Sequence, residues 1–379
     1  MAGPSNTRRR YLATKTKYTC RLKTQSRPWR ISLSAVIGQV DRSLVRLVKA
    51  YRFRLEPTPT VAREMGRVAG CCRFVFNPRF KKKGRHDAFR YPDPKQFAVD
   101  DGHGRVKLPK LGWVRYRKSR SVSGTPKQLT ISRQGGHWFV SIQTEQEVAT
   151  PIHPANSGGG LDVGVAKFVA LSTGDTFAPV SSFRKYEKKL AREQRKLARK
   201  VKYSQNWRKQ KARIAKLHEK IARIRNDFLH KTSTTISKTH AMIVLEDLSV
   251  RSMSRSARGT VNDPRRNVRA KAGLNKSILD QGWAQFRRQL EYKQVWRGGI
   301  VVAVDPRNTS RTCPCCGHVS AENRKTQAVF RCVRCDHAAD ADVNAAHNIL
   351  AAGHAVIACG KRMQSGPSMK QEPSVSQAA

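Results

Sequence analysis

Residues 160–177 read GLDVGVAKFVALSTGDTF. Apolar side chains alternate with small ones on either side of a break, and Thr173-Gly174-Asp175 has the composition of a tight turn. The stretch therefore predicts two strands of a hairpin ladder. Asp162 interrupts the first of them, where a carboxylate must find a partner or a purpose. Two further acids stand in comparable places. Glu246 ends the apolar run AMIVL at 241–245, and Asp342 opens the small-residue helix DVNAAHNIL at 342–350. One acid at the end of a buried strand is usually a paired or capping group. Three converging from separate elements would offer the hard oxygen ligands that Mg²⁺ prefers. Two such ions sharing a carboxylate can promote phosphodiester cleavage.

A second signature lies between Thr312 and Ala346. Cys313 and Cys316 form one CxxC knuckle and Cys332 and Cys335 another, with fifteen residues between Cys316 and Cys332. That spacing predicts a four-thiolate zinc site, structural because no coordination position stays open. Cys315 is a spare thiol within the first knuckle. Cys20, Cys71, Cys72 and Cys359 are expected to be dispensable for the metal.

Lys and Arg number 75 against 26 acids, a net charge of +49 in 379 residues. Such an excess calls for a polyanion, and nucleic acid is the expected partner. No run approaches the eighteen apolar residues of a membrane span, so a membrane is not expected, nor is a small-molecule substrate. The odd cysteine count and the lack of a signal-peptide core predict a reducing, cytoplasmic setting.

Along the chain, residues 1–47 are basic, aperiodic and expected to be disordered. KAYRFRL at 49–55 alternates as a half-buried strand, and a helix is expected over 60–76. Residues 78–112 read as basic loop. Strands are expected at 127–132 and 137–144 around a Gln134-Gly135-Gly136 turn, and a linker at 148–159. Residues 184–231 hold 19 Lys/Arg and 4 Asp/Glu. Ile214, Leu217, Ile221, Ile224 and Phe228 repeat at steps of three and four, with a weaker stripe of Tyr186, Leu190, Leu197 and Val201 upstream. These predict an antiparallel helical hairpin with a break at 203–206 and a phosphate-binding outer face. Further strands are expected at 241–245 and 299–304, with a helix over 275–296 between them. The tail 361–379 is expected to be disordered.

GLDVGVAKFVALSTGD, VLEDLSV, TSRTCPCCG, RCVRC and DADVNAAHNIL together resemble the signature blocks of TnpB (OrfB) proteins, transposon-associated RNA-guided nucleases related to type V CRISPR effectors. KAYRFRLEPT, CCRFVFN and PKLGWVRYR are also similar to that family, so the resemblance spans about residues 48–360. It implies an α/β fold: a wedge-like β domain at 48–150, then an RNase H-like (RuvC) core at 157–307 and 338–360. The helical hairpin and a zinc ribbon at 308–337 would be inserted in that core. By motif position Asp162, Glu246 and Asp342 resemble the catalytic, Mg²⁺-binding acids of an endodeoxyribonuclease that takes guide RNA and DNA as partners. Asp340 is the alternative register for the third acid, and Asp247 fits a capping role. Two departures stand out. Asn77 runs straight into Pro78, where the family has several tens of mostly helical residues, so the recognition lobe is largely missing. Residues 1–47 match nothing in the family, and Val48 is the expected initiator. The resemblance thus implies an RNA-guided endonuclease. The alternatives are a cleavage-impaired nucleic-acid-binding remnant or regulator, and a transposase accessory protein. Tyr186 and Tyr203 form no recombinase constellation and read as packing or stacking residues.

Overall fold

The computed structural model describes residues 44–76, 87–259 and 266–359. Most of the N-terminal extension, the Asn77–Pro78 junction and the tail 361–379 lie outside the described residues.

The first sheet runs in the order β1-β7-β6-β2, built from β1 (Leu44–Arg54), β2 (Ala88–Tyr91), β6 (Thr125–Gln134) and β7 (His137–Ala149), all antiparallel. Alternation explains its core: Leu129 and Ile131 of β6, and Trp138, Val140 and Ile142 of β7, point inward. Gly135 and Gly136 close the β6–β7 hairpin at φ +56° and +91°, a left-handed pair that only glycine adopts cheaply. Helix α1 (Pro59–Phe76) lays Met65 and Ala69, one turn apart, onto the same core. The stretch expected to be loop holds β2 and a three-stranded sheet of β3 (Ala98–Asp100), β4 (Arg105–Leu108) and β5 (Gly112–Arg115). Strands of three or four residues are too short for alternation to register in sequence.

β1 also begins earlier than its alternation shows. Leu44 to Leu47 pair with Ala149 to Gln146, and Leu47 is only 5% exposed. Residues 44–47 therefore belong to the sheet, not to a disordered extension. A chain begun at Val48 should be less stable than one begun at Leu44 by about 2–3 kcal/mol, from one buried leucine and four strand pairings. Equal denaturant midpoints for the two forms would refute this.

The second sheet has the order β10-β9-β8-β11-β12. β8 (Gly158–Val163), β9 (Val169–Leu171) and β10 (Thr176–Phe177) form an antiparallel meander. β11 (Met242–Glu246) and β12 (Ile300–Val304) then join β8 in parallel. Parallel neighbours need crossovers, and helices supply them. Between β8 and β11 lie α2 (Ser182–Ala198) and α3 (Gln205–Thr239). Between β11 and β12 lie the short α4 (Val250–Met253), α5 (Val268–Gln281) and α6 (Trp283–Arg297). The helix expected over 275–296 is broken at Gly282, whose φ of +76° ends α5 and starts α6.

β11 is buried on both faces, so its side chains divide. Ile243 and Leu245 meet Leu229, Ile236, Phe286 and Leu290 of α3 and α6. Met242 and Val244 meet Ile349 of α7 (Ala341–Ala358) on the opposite face. Helix α7 lies so close to β8 that a Cβ on Gly160 would sit 2.1 Å from the carbonyl oxygen of Ala346. Lys293 pins α6 to α3: its ammonium donates to the carbonyl of His230 (2.8 Å) and to the hydroxyls of Ser233 (2.6 Å) and Thr234 (2.7 Å).

The α2–α3 hairpin pairs Phe183, Tyr186 and Leu190 with Ile214, Leu217 and Ile221. Phe228 instead joins the core of the second sheet, and Val201 is exposed rather than part of the stripe. Two short strands, β13 (Val329–Arg331) and β14 (Ala338–Asp340), form a separate ribbon ahead of α7.

Candidate active site

Register places the first two acids side by side. Leu161 of β8 pairs with Leu245 of β11, so Asp162 and Glu246 occupy the next rung of neighbouring parallel strands. Strands in a sheet lie about 4.8 Å apart. Because Leu161 and Leu245 face the α3–α6 core, the two acids turn to the opposite face, where α7 begins. Asp342 stands in the first turn of α7.

Asp162 is half-buried, and its carboxyl is raised to about 7, first by burial and then by the charges of Glu246 and Asp342, against the opposing pull of Arg324 and Lys167. Glu246 is also raised by burial, while the hydroxyl of Thr309, donating to its Oε1 at 2.6 Å, works the other way. Asp342 is held by Arg324 at 3.1 Å and Lys167 at 3.4 Å. Among the described residues, the three acids do not bring their oxygens all within 4.8 Å of one another.

The neighbouring aspartates behave differently. Asp340 is the N-cap of α7, accepting from the N–H groups of Asp342 (3.0 Å) and Val343 (3.2 Å). Burial works to raise its carboxyl, but the Lys167 ammonium at 2.8 Å and the two N–H groups outweigh it and hold it low. Asp247 is no helix cap: it makes a 2.5 Å ion pair with Arg287 of α6.

Sequence reading missed Lys167, Thr309 and Arg324. Single polar residues in loops or one short helical turn carry no periodic signal, and only the fold brings Lys167 to within 2.8 Å of Asp340, 173 residues away. Asn348, one turn beyond Asn344 on α7, holds the Thr309 loop by donating to the carbonyls of Thr309 (2.8 Å) and Thr312 (2.7 Å).

As a donor set, the three carboxylates include one acid raised to about 7, first by burial and then by its like-charged neighbours, a charge that a divalent cation would relieve. Lys167 and Arg324 already stand against Asp342 as cations. The residues therefore fit a Mg²⁺ site.

The sulfur site is tighter. Cys313, Cys316, Cys332 and Cys335 bring their Sγ atoms within 4.8 Å of one another. Cys313–Cys335 and Cys316–Cys332 are each 3.6 Å apart. Thiolates at 2.3 Å around a tetrahedral zinc would be about 3.8 Å apart, so the quartet fits such an ion. Backbone N–H groups turn onto the knuckle sulfur, as Arg334 does to Cys332 at 3.4 Å. Phe330 and Ala341 bury one side of the quartet, while Cys315 is exposed and outside it.

Comparison with known proteins places this arrangement. The profile of the OrfB_IS605 family, described as "Probable transposase", matches residues 141–257, and that of the "Cas12f1-like, TNB domain" matches 283–349. "Putative RNA-guided DNA endonuclease InsQ" of Escherichia coli (strain K12) is 60% identical over 296 residues, covering 78% of this chain and 73% of that protein. The chain belongs to the TnpB/OrfB family. A further TnpB/OrfB relative, "Putative RNA-guided DNA endonuclease" of Streptomyces pristinaespiralis, is 33% identical over 313 residues, covering 78% of this chain and 72% of that one. Among solved structures, "Cryo-EM structure of the Cas12f1-sgRNA-target DNA complex" aligns over 73% of this chain and 67% of that chain at 16% identity and a TM-score of 0.47. A helix-turn-helix profile also matches residues 47–78 of this TnpB/OrfB chain, where the structure has β1 followed by α1.

Proposed function

We propose that this chain is an RNA-guided DNA endonuclease whose cleavage site is formed by Asp162, Glu246 and Asp342. The observation that carries the reading is the placement of two acids on one rung of parallel strands, opposed by a third at the start of α7. The sheet order, with an antiparallel meander continued by two parallel strands and α7 on the far face, supports an RNase H-like (RuvC) core. In this reading residues 157–307 and 338–360 make up that core, 308–337 a zinc ribbon, and 48–150 a wedge-like β domain. The names of the TnpB/OrfB relatives support guide RNA and target DNA as partners, and the net charge of +49 supports polyanion binding.

Asp162, Glu246 and Asp342 would hold Mg²⁺, which when bound supplies the positive charge that activates water and neutralises the leaving oxygen. The chain's own contribution is orientation. Thr309 fixes the Glu246 carboxylate, Arg324 and Lys167 fix Asp342, and Asp340 fixes the helix that carries it.

The test is cleavage of a plasmid bearing a guide-matched target by protein purified with its co-expressed RNA. Cutting is expected with Mg²⁺ and should disappear on chelation. One observation favours the second reading, a binding remnant that cuts poorly. α1 ends at Phe76 and β2 starts at Ala88, leaving eleven residues between them, too few for a helical recognition lobe. Guided binding without cutting, over a range of target-flanking sequences, would establish that reading instead.

A further inference from the structure

Helices α2 and α3 meet at a tip that the proposed cleavage site does not use. α2 has 17 residues, so the tip stands roughly 25 Å from the end of α2 that is anchored at the core by Asp280, which accepts from the N–H of Phe183 at 2.9 Å. At that distance an apolar side chain gains nothing from the core. Yet Val201 is 78% exposed and Tyr203 64% exposed, with Trp207 half-buried beside them. The two rings lie 5.5 Å apart at 58°. The Lys202 ammonium sits 5.2 Å over the Tyr203 ring and the Lys211 ammonium 4.9 Å over the Trp207 ring.

Two more facts single the tip out. Tyr203 has a φ of +68°, a left-handed conformation that costs a side chain with a Cβ, in a turn where glycine would be free of strain. Residues 199–213 also contain seven basic side chains and no acid. A strained, exposed Tyr203 beside a half-buried Trp207, in a stretch that carries seven basic side chains and no acid, is a poor structural choice and a good platform for a flat, anionic ligand. A second copy of this chain, itself at +49, is poorly matched to the tip by charge. A lipid surface would call for more aliphatic bulk than the one valine present.

We infer that the α2–α3 tip is a stacking platform for unpaired nucleobases. Tyr203 and Trp207 take the base face, while Lys202, Lys211 and their neighbours hold the flanking phosphates. The site recognises single-stranded RNA or DNA, or the frayed end of a duplex, without reading sequence. The inference rests on nucleic acid being the partner but not on cleavage, so it is tested by binding alone.

Fluorescence anisotropy with the full chain would use three labelled 20-mers: single-stranded RNA, single-stranded DNA and a blunt DNA duplex. Tyr203→Ala and Trp207→Ala should each weaken single-strand binding about 5- to 100-fold and leave the slope of log affinity against log salt unchanged. Duplex binding should move less than about twofold. Tyr203→Phe should bind as wild type, since only the ring is needed. Lys202→Ala should lower the salt slope by about 0.7. Tyr203→Gly separates a ligand role from a structural one: it removes the strain, so it should melt no lower than wild type while binding single strands as weakly as Tyr203→Ala. Single-strand affinities of Tyr203→Ala and Trp207→Ala within twofold of wild type would overturn the inference. So would an equal loss on the duplex.

Discussion

Replacing Asp162 with asparagine should abolish cleavage, make the protein more stable at neutral pH, and leave nucleic-acid affinity within about twofold of wild type. Removing one of three carboxylates that would hold the metal should cost about 10²–10⁴-fold in rate, from several kcal/mol of lost charge stabilisation. The stability change follows from the acid's position. Its carboxyl is raised to about 7 in the folded protein, by burial and then by Glu246 and Asp342. In the unfolded chain it titrates near 3.9. Between pH 4 and 7 the folded form therefore keeps a proton that the unfolded form has lost. This contribution to stability is complete below pH 4 and disappears as pH rises through 7, at about 1.4 kcal/mol per unit and roughly 4 kcal/mol in all. Asparagine has no proton to lose, so the variant should have a flatter stability profile and a higher denaturant midpoint at pH 8. Parallel profiles for the two proteins would show that neither burial nor the neighbouring acids raise Asp162 in the folded protein. Asp340→Ala is the control: it loses a helix cap worth about 1 kcal/mol and the Lys167 contact, but should still cut.

Loss of the sulfur site should have the largest structural effect. Cys332→Ser with Cys335→Ser should reduce bound zinc from one ion per chain to none by elemental analysis. Cys71→Ser, Cys315→Ser and Cys359→Ser should leave it unchanged. Structural zinc supplies about 10–16 kcal/mol in small domains, and this ribbon has little else. Its apolar core is Phe330 and Ala341 beside the cysteines themselves. Because β14 ends at Asp340 and α7 starts at Ala341, the ribbon also sets where Asp342 begins its helix. The double variant should therefore lose cleavage together with zinc. Undiminished zinc would mean that other ligands hold the ion.

How much of this was legible in the sequence varied with the physics of each element. β11 stood out because a strand buried on both faces is a continuous apolar run, and the acid at its end marked itself by contrast; β12, at the sheet edge, stood out by its β-branched run. The cysteine quartet was legible from spacing alone, since a knuckle is a local geometry. β3, β4 and β5 were not, because three or four residues cannot show a period. The single helix expected over 275–296 failed on one glycine: composition reads Gly282 as tolerable within a helix, while the fold uses its left-handed φ to turn the chain. Lys293 fell on the apolar stripe of that helix, and only the structure shows that three oxygens of α3 absorb its charge, with burial pulling the ammonium down to about 8. Lys167 and Arg324 had no local signature, because their role is a distance between remote parts of the chain.

The close seat of α7 against β8 also governs when the site can exist. Asp162 leaves the ribosome early and Asp342 last of the three, with 179 residues between them. At elongation rates of about 5–20 residues per second that interval is roughly 10–40 s. During it the β8 meander and the basic hairpin can fold and meet nucleic acid, while the glycine-floored groove that receives α7 stays open. On the proposed reading, a nascent chain would load its nucleic acid before it could cut it, a timing set by the order of residues along the polypeptide.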